Sequence, residues 1–115
     1  MTEVKADEDM EFFDFVAKYQ GKSTEITPAD ASEEVYRKVS ETAKKVYAVF
    51  NCSGVIRIDF IYHEERNEPF MLEINTIPGQ SDASIVPQQV KAMGWKLEDF
   101  YASLIEEALA DAASK

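Results

Sequence analysis

The chain contains a single cysteine, Cys52, and a single histidine, His63. One cysteine excludes an internal disulfide and suits a reducing compartment. It follows a predicted helix end and is expected to be a small buried apolar residue rather than a nucleophile. The histidine lies in a charged turn with no evident partner, so it is expected to be solvated. No apolar run approaches the ~20 residues of a membrane span, and no signal peptide is evident. A cytoplasmic protein without a membrane partner is therefore expected. Positive charge is scarce: 12 Lys and Arg against 22 Asp and Glu leave a net charge of −10. That balance argues against nucleic acid as a partner. It suits divalent cations, although most of the carboxylates will be solvated. At 115 residues the chain is one domain or part of one.

Residues 1–11 are acidic and hold little that could enter a core, so they predict a short entry strand at most, then a flexible segment. Phe12–Tyr19 is aromatic-rich and ambiguous, and Gln20–Ser23 reads as a turn or mobile loop. Thr24–Thr27 predicts a short strand ended by Pro28. A helix follows, with Asp30 or Ser32 as N-cap, Glu33 and Glu34 in its first turn, and an apolar stripe of Val35, Val39, Ala43, Val46 and Phe50. Asn51 and Gly54 end it. Strands Val55–Tyr62 and Phe70–Asn75, joined by a turn at Glu64–Glu68, predict a hairpin. Thr76–Ser84 is a loop, Pro87 starts a short helix and Gly94 stops it. Leu97, Phe100, Tyr101, Leu104, Ile105, Ala108 and Leu109 mark an amphipathic last helix whose aromatics belong to the core.

The chemistry is concentrated on the hairpin. Arg57 and Asp59 share one strand face, Glu73 and Asn75 share another, and each pair is framed by apolar residues that face the other way: Ile56, Ile58, Phe60 and Tyr62 on the first strand, Phe70, Leu72 and Ile74 on the second. Two carboxylates and an amide oxygen are hard ligands that suit Mg²⁺. An arginine beside them suits phosphate or a developing oxyanion. Asn75 stands at a strand end before Pro78-Gly79, and this loop offers backbone N–H groups as well as the hydroxyls of Thr76, Ser81 and Ser84. Asp59 opposes Glu73 only if the register pairs positions of like parity, or if a bulge intervenes.

Arg57-Ile58-Asp59, followed by the run Leu72-Glu73-Ile74-Asn75-Thr76-Ile77-Pro78-Gly79, closely resembles the C-terminal end of the D-alanine–D-alanine ligase family, of the ATP-grasp superfamily. Phe13–Tyr19 resembles that family's mobile active-site loop, with Phe13 and Phe15 where tyrosines are usual and Val16 where an acidic residue is common. The resemblance implies that Asp59, Glu73 and Asn75 bind Mg²⁺ or Mn²⁺ bridging ATP phosphates, with Glu73 shared between ions. It implies that Arg57 and the Gly79 amide meet the oxyanion, that Lys18 contacts the transferred phosphate, that Tyr19 helps close the loop, and that Ser84 meets the carboxylate of the second D-alanine. Tyr19 after Lys18 favours D-alanine over D-lactate as that substrate.

The expected fold is α+β: the C-terminal half of an ATP-grasp domain, with a small, mainly antiparallel sheet and helices packed on one face. Residues 1–22 would form the acidic entry segment and active-site loop, mobile here, and 23–115 the sheet and helices. The implied partners are ATP, D-alanine and the N-terminal and central ligase domains that the chain lacks; the oligomeric state of the parent is left open, with a homodimer among the options. The function implied is ATP-dependent formation of D-alanyl-D-alanine for peptidoglycan, with this piece inactive alone. The alternatives are a non-catalytic metal- or nucleotide-binding module, an ATP-grasp ligase joining other carboxylates and amines, and a purely structural fragment.

Overall fold

The computed structural model describes residues 1–6 and 23–114. The expected loop at Phe12–Lys22, with Lys18 and Tyr19, lies outside them. The chain divides into two units, Met1–Asp30 and Ala31–Lys115. In the first, β1 (Glu3–Ala6) pairs antiparallel with β2 (Ser23–Ile26), Glu3 opposite Ile26. The Thr2 and Thr27 hydroxyls hydrogen-bond at 2.6 Å, and the Ala29 N–H donates to the Met1 carbonyl at 2.9 Å.

The second unit opens with α1 (Glu33–Val49). Ser32 is its N-cap, its hydroxyl accepting from the Val35 N–H at 3.3 Å, and Glu33 and Glu34 lie where the helix dipole favours negative charge. Val35, Val39, Ala43 and Val46 are half-buried along one stripe. Phe50, expected to extend that stripe, is 60% exposed, because it is the C-cap and the chain turns away behind it. Asn51 and Gly54 take positive φ, 51° and 68°, a conformation that asparagine and glycine tolerate best. The Tyr47 hydroxyl donates to the Gly54 carbonyl at 2.8 Å. Burial, and then the neighbouring Glu107, Cys52 and Asp111, hold its phenol above the ordinary tyrosine value, so it stays a neutral donor. Cys52, expected to be buried, is a free, half-buried thiol in this turn.

The hairpin comprises β3 (Arg57–His63) and β4 (Glu68–Asn75), antiparallel, with α1 against β4. Its turn is fastened to α1 through Asn67, which sits at φ 53°. The Asn67 side chain accepts from the Tyr62 hydroxyl at 2.5 Å and donates to Glu34 at 2.9 Å, while its carbonyl accepts from Lys38 Nζ at 2.7 Å. His63 is exposed, as expected, and its Nδ1 accepts from the Arg66 N–H at 3.2 Å.

After the loop, α2 (Ile85–Ala92) packs on α3 (Leu97–Ala113). Helix α2 begins at Ile85 rather than Pro87, because Ser84 takes the N-cap conformation. Gly94, at φ 80°, ends the turn behind it. Val86, Pro87 and Val90 are buried. On α3, Leu97, Phe100, Tyr101 and Leu104 are half-buried, but Ile105 and Leu109, expected in the same stripe, are 61% and 66% exposed. Among the described residues the α+β expectation holds, with two two-stranded antiparallel sheets and three helices.

Asn67 combines a left-handed backbone with three hydrogen bonds, which separates two contributions. Asn67→Ala loses the two side-chain bonds and the tolerance of positive φ, while the carbonyl still accepts from Lys38, and is expected to cost about 2 kcal/mol; Asn67→Gly loses the same two bonds but keeps the backbone freedom and should cost less. Urea unfolding of the two variants, with equal losses counting against the backbone contribution, checks this.

Candidate active site

The hairpin register decides the site. Arg57 opposes Asn75, Ile58 opposes Ile74 and Asp59 opposes Glu73. Directly opposed residues lie on one face, so Arg57, Asp59, Glu73 and Asn75 share it. Like-parity pairing is thus the solution adopted around Asp59. A bulge follows at once: the register shifts between Asp59 and Phe60, Phe60 opposes Met71, and Leu72 is the extra residue. The bulge corrects the expected facing of β4. Phe70 pairs with Ile61, and so joins the face of Asp59 rather than that of Ile74.

Arg57 holds the two carboxylates together. Its Nε donates to Asp59 Oδ1 at 2.9 Å and its Nη2 to Asp59 Oδ2 at 3.2 Å, a two-point fork. The same Nη2 lies 3.8 Å from Glu73 Oε1. Asp59 and Arg57 are part-buried, whereas Glu73 keeps 54% of its side chain exposed. Asn75 Oδ1 accepts from the Ile77 N–H at 3.0 Å, which aims the amide and leaves its oxygen a second lone pair. Among the described residues no group of three or more His, Cys, Asp or Glu could hold a metal ion. The donor set is instead two carboxylates and one amide oxygen. That chemistry fits Mg²⁺, which takes few protein ligands and completes its shell with water and phosphate oxygens.

Behind Asn75 the loop is laced to itself. The Ser84 Oγ accepts from the Ser81 N–H at 3.2 Å and lies 2.8 Å from the Ser81 hydroxyl. An added Cβ at Gly79 would meet Ser84 Oγ at 2.8 Å, so a side chain here would push aside a hydroxyl that is bonded to Ser81. Gln80 Nε2 donates to the Pro78 carbonyl at 3.1 Å, and the Tyr101 hydroxyl donates to Gln80 Oε1 at 3.0 Å. The sequence offered no signal for this long-range link, since Tyr101 sits in an apolar stripe. Two hollows beside α1, about 480 Å³ lined by Phe50, Cys52, Ile56, Ile74 and Thr76, and about 290 Å³ lined by Lys38, Thr42 and Pro69, include Thr76 but none of Arg57, Asp59, Glu73, Asn75, Gly79 or Ser84. Among the described residues the candidate site is an open face, with the Glu73 side chain 54% exposed.

The model of the D-ala D-ala ligase C-terminus matches residues 1–106. The chain belongs to that family. It is 52% identical to the D-alanine–D-alanine ligase of Flavobacterium johnsoniae, over 96% of this chain and 33% of that protein. It is 50% identical to that of Christiangramia forsetii, over 88% of this chain and 30% of that protein. The chain therefore spans about a third of the length of these relatives. The crystal structure of the Bacillus anthracis D-alanine–D-alanine ligase superposes with a TM-score of 0.75 at 26% identity, covering 98% of this chain and 36% of that one. Its ATP complex gives 0.73 at 22% identity, covering 91% of this chain and 33% of that one, a likeness of fold. Among the described residues, no helix is long and apolar enough to cross a membrane.

Gly79→Ala should destabilise the loop by forcing Ser84 aside, and Gly79→Ala with Ser84→Ala should recover most of that loss, because the remaining Cβ contact of 3.5 Å is ordinary. Thermal unfolding of the two variants distinguishes this from a conformational need for glycine, which the second change would not relieve.

Proposed function

We propose that this chain supplies the metal-ligand and oxyanion-binding part of an ATP-dependent D-alanine–D-alanine ligase, acting in the cytoplasm in peptidoglycan synthesis. Residues 1–22 are its entry segment and active-site loop, and 23–115 its sheet and helices. The observation that carries the reading is the opposition of Asp59 to Glu73 and of Arg57 to Asn75, on a strand pair that runs straight into Pro78-Gly79.

In the reaction, the γ-phosphoryl group of ATP passes to the carboxylate of one D-alanine, giving ADP and an acyl phosphate. The amine of a second D-alanine attacks that carbonyl carbon. The tetrahedral oxyanion then collapses: the new C–N bond is kept, the C–O bond to phosphate breaks, and the nitrogen gives up its extra proton to the departing phosphate or to water. Asp59, Glu73 and Asn75 hold Mg²⁺ or Mn²⁺, which when bound neutralises charge on the ATP phosphates. Arg57 and the Gly79 N–H face the oxyanion, where donors fixed in advance act most strongly. Ser84 receives the second carboxylate, Lys18 contacts the transferred phosphate and Tyr19 helps close the loop. Arg57 neutralises the carboxylate pair only in part, so the face keeps a net attraction for a cation. Its openness accords with a site whose other walls belong to the remaining two-thirds of such a ligase.

In the full-length ligase, Glu73→Gln should cost on the order of a hundredfold or more in kcat, as does loss of an electrostatic stabiliser of the transition state. Glu98→Gln, on the exposed first turn of α3, should stay close to the parent enzyme. Similar rates for the two variants in an ATP- and D-alanine-dependent assay would sink the role given to Glu73.

The isolated chain should form no dipeptide and bind Mg-ATP only weakly, because the ordering cost of the nucleotide is not offset by adenine contacts. Calorimetric binding near 1 µM, about −8 kcal/mol, would contradict this half-site reading.

A further inference from the structure

The Pro78 carbonyl and the Gly79 N–H belong to one peptide group. A peptide is planar, and in the trans form its C=O and N–H point in opposite directions. Whatever fixes the carbonyl therefore fixes the direction of the amide hydrogen. Gln80 Nε2 donates to that carbonyl at 3.1 Å, and the Tyr101 hydroxyl donates to Gln80 Oε1 at 3.0 Å. Among the described residues no hydrogen bond engages the Gly79 N–H. Among the described residues, one side of the peptide is thus held while the other is left to meet an anion. A hydrogen bond accepted at the carbonyl also polarises the amide and strengthens it as a donor.

We propose that Tyr101 and Gln80 are positioning residues: a two-bond relay from α3 that orients and polarises the Pro78–Gly79 peptide so that the Gly79 N–H serves as oxyanion donor. The proposal rests on the role given to Gly79 above. The relay explains two features. The half-buried Tyr101 sets its ring beside that of Phe100, 5.6 Å between centroids, and its hydroxyl on the loop, so the last helix has a function at the site beyond burial. Gln80 supplies both an amide donor and a carbonyl acceptor, and the relay uses both. Glutamate could accept from Tyr101 but would turn a carboxylate towards the Pro78 carbonyl. Methionine would fill a similar space with neither group.

Pro78-Gly79 is the one Pro–Gly step in this chain, and in full-length ligase labelled with proline carbonyl-¹³C and glycine-¹⁵N its signal is identified as the one that Gly79→Ala removes. Its carbonyl-¹³C and amide-¹⁵N resonances should move in Tyr101→Phe, Gln80→Met and Gln80→Glu, each towards values of a peptide whose carbonyl has lost a protein donor. In the same variants kcat should fall roughly tenfold, short of the ~10²-fold loss that follows removal of an oxyanion donor itself, with KM for ATP little changed. Because Tyr101 acts through Gln80, adding Tyr101→Phe to Gln80→Met should lower kcat no further. Unchanged resonances, or additive effects of the two substitutions, overturn the relay. Shifted resonances with the parent enzyme's kcat overturn instead the role of Gly79, and the reading beneath the relay with it.

Discussion

Two carboxylates placed directly opposite one another across a strand pair are the constraint on which this hairpin depends. Side chains so opposed lie about 5 Å apart, and like charges there destabilise the pairing. Asp59 and Glu73 are nonetheless opposed, and Arg57 makes this tolerable: it forks onto Asp59 and reaches Glu73 at 3.8 Å. The guanidinium is always charged and planar, so it can serve both acids from one position. Lysine, a point charge on a flexible stem, could not hold the same fork. The residue proposed to face the oxyanion therefore also keeps the site's strands in register.

The bulge after Asp59 sets what lies beside the acids. Were the register continued without it, Phe70 and Leu72 would share the face of Ile58 and Ile74. With Leu72 inserted, Phe70 and Ile61 instead flank the polar quartet, at 41% and 55% exposure. The face becomes charged near the Pro-Gly loop and apolar towards the turn, where Arg66 lies 6.0 Å from the Phe70 ring. A surface of this kind suits a ligand charged at one end and apolar at the other. It also accords with a chain that spans about a third of its relatives and leaves Phe50, Leu72, Ile105 and Leu109 largely uncovered.

What could be read from the residues, and what could not, follows the range of the interactions. Ser32 and Glu33 announce the start of α1, and Gly54 and Gly94 announce positive φ, because caps and turns are local. The Glu-x-Asn run marks the ligand strand for the same reason. The bulge leaves no such mark: β4 has no glycine at Leu72, and only the parity problem of Asp59 and Glu73 hints at it. Periodicity gave α3 an apolar stripe, but the spacing of Ile105 and Leu109 says which face they share, not whether anything covers it. Gln80 and Tyr101 are separated by 21 positions and meet only once α3 has packed, so no pattern in either segment could pair them.

The loop after β4 shows how short-range bonds can leave one group free by satisfying its neighbours. Asn75 Oδ1 takes the Ile77 N–H, Gln80 takes the Pro78 carbonyl, and the Ser84 hydroxyl takes the Ser81 N–H. Each bond removes a polar group that would otherwise rotate towards solvent or compete for a ligand. Gly79 stands at the centre of this pattern, with no side chain to obstruct it and Ser84 Oγ beside the place a Cβ would take. A loop this constrained need not reorganise when charge develops in front of it, and in electrostatic stabilisation that saved reorganisation is the larger part of the effect.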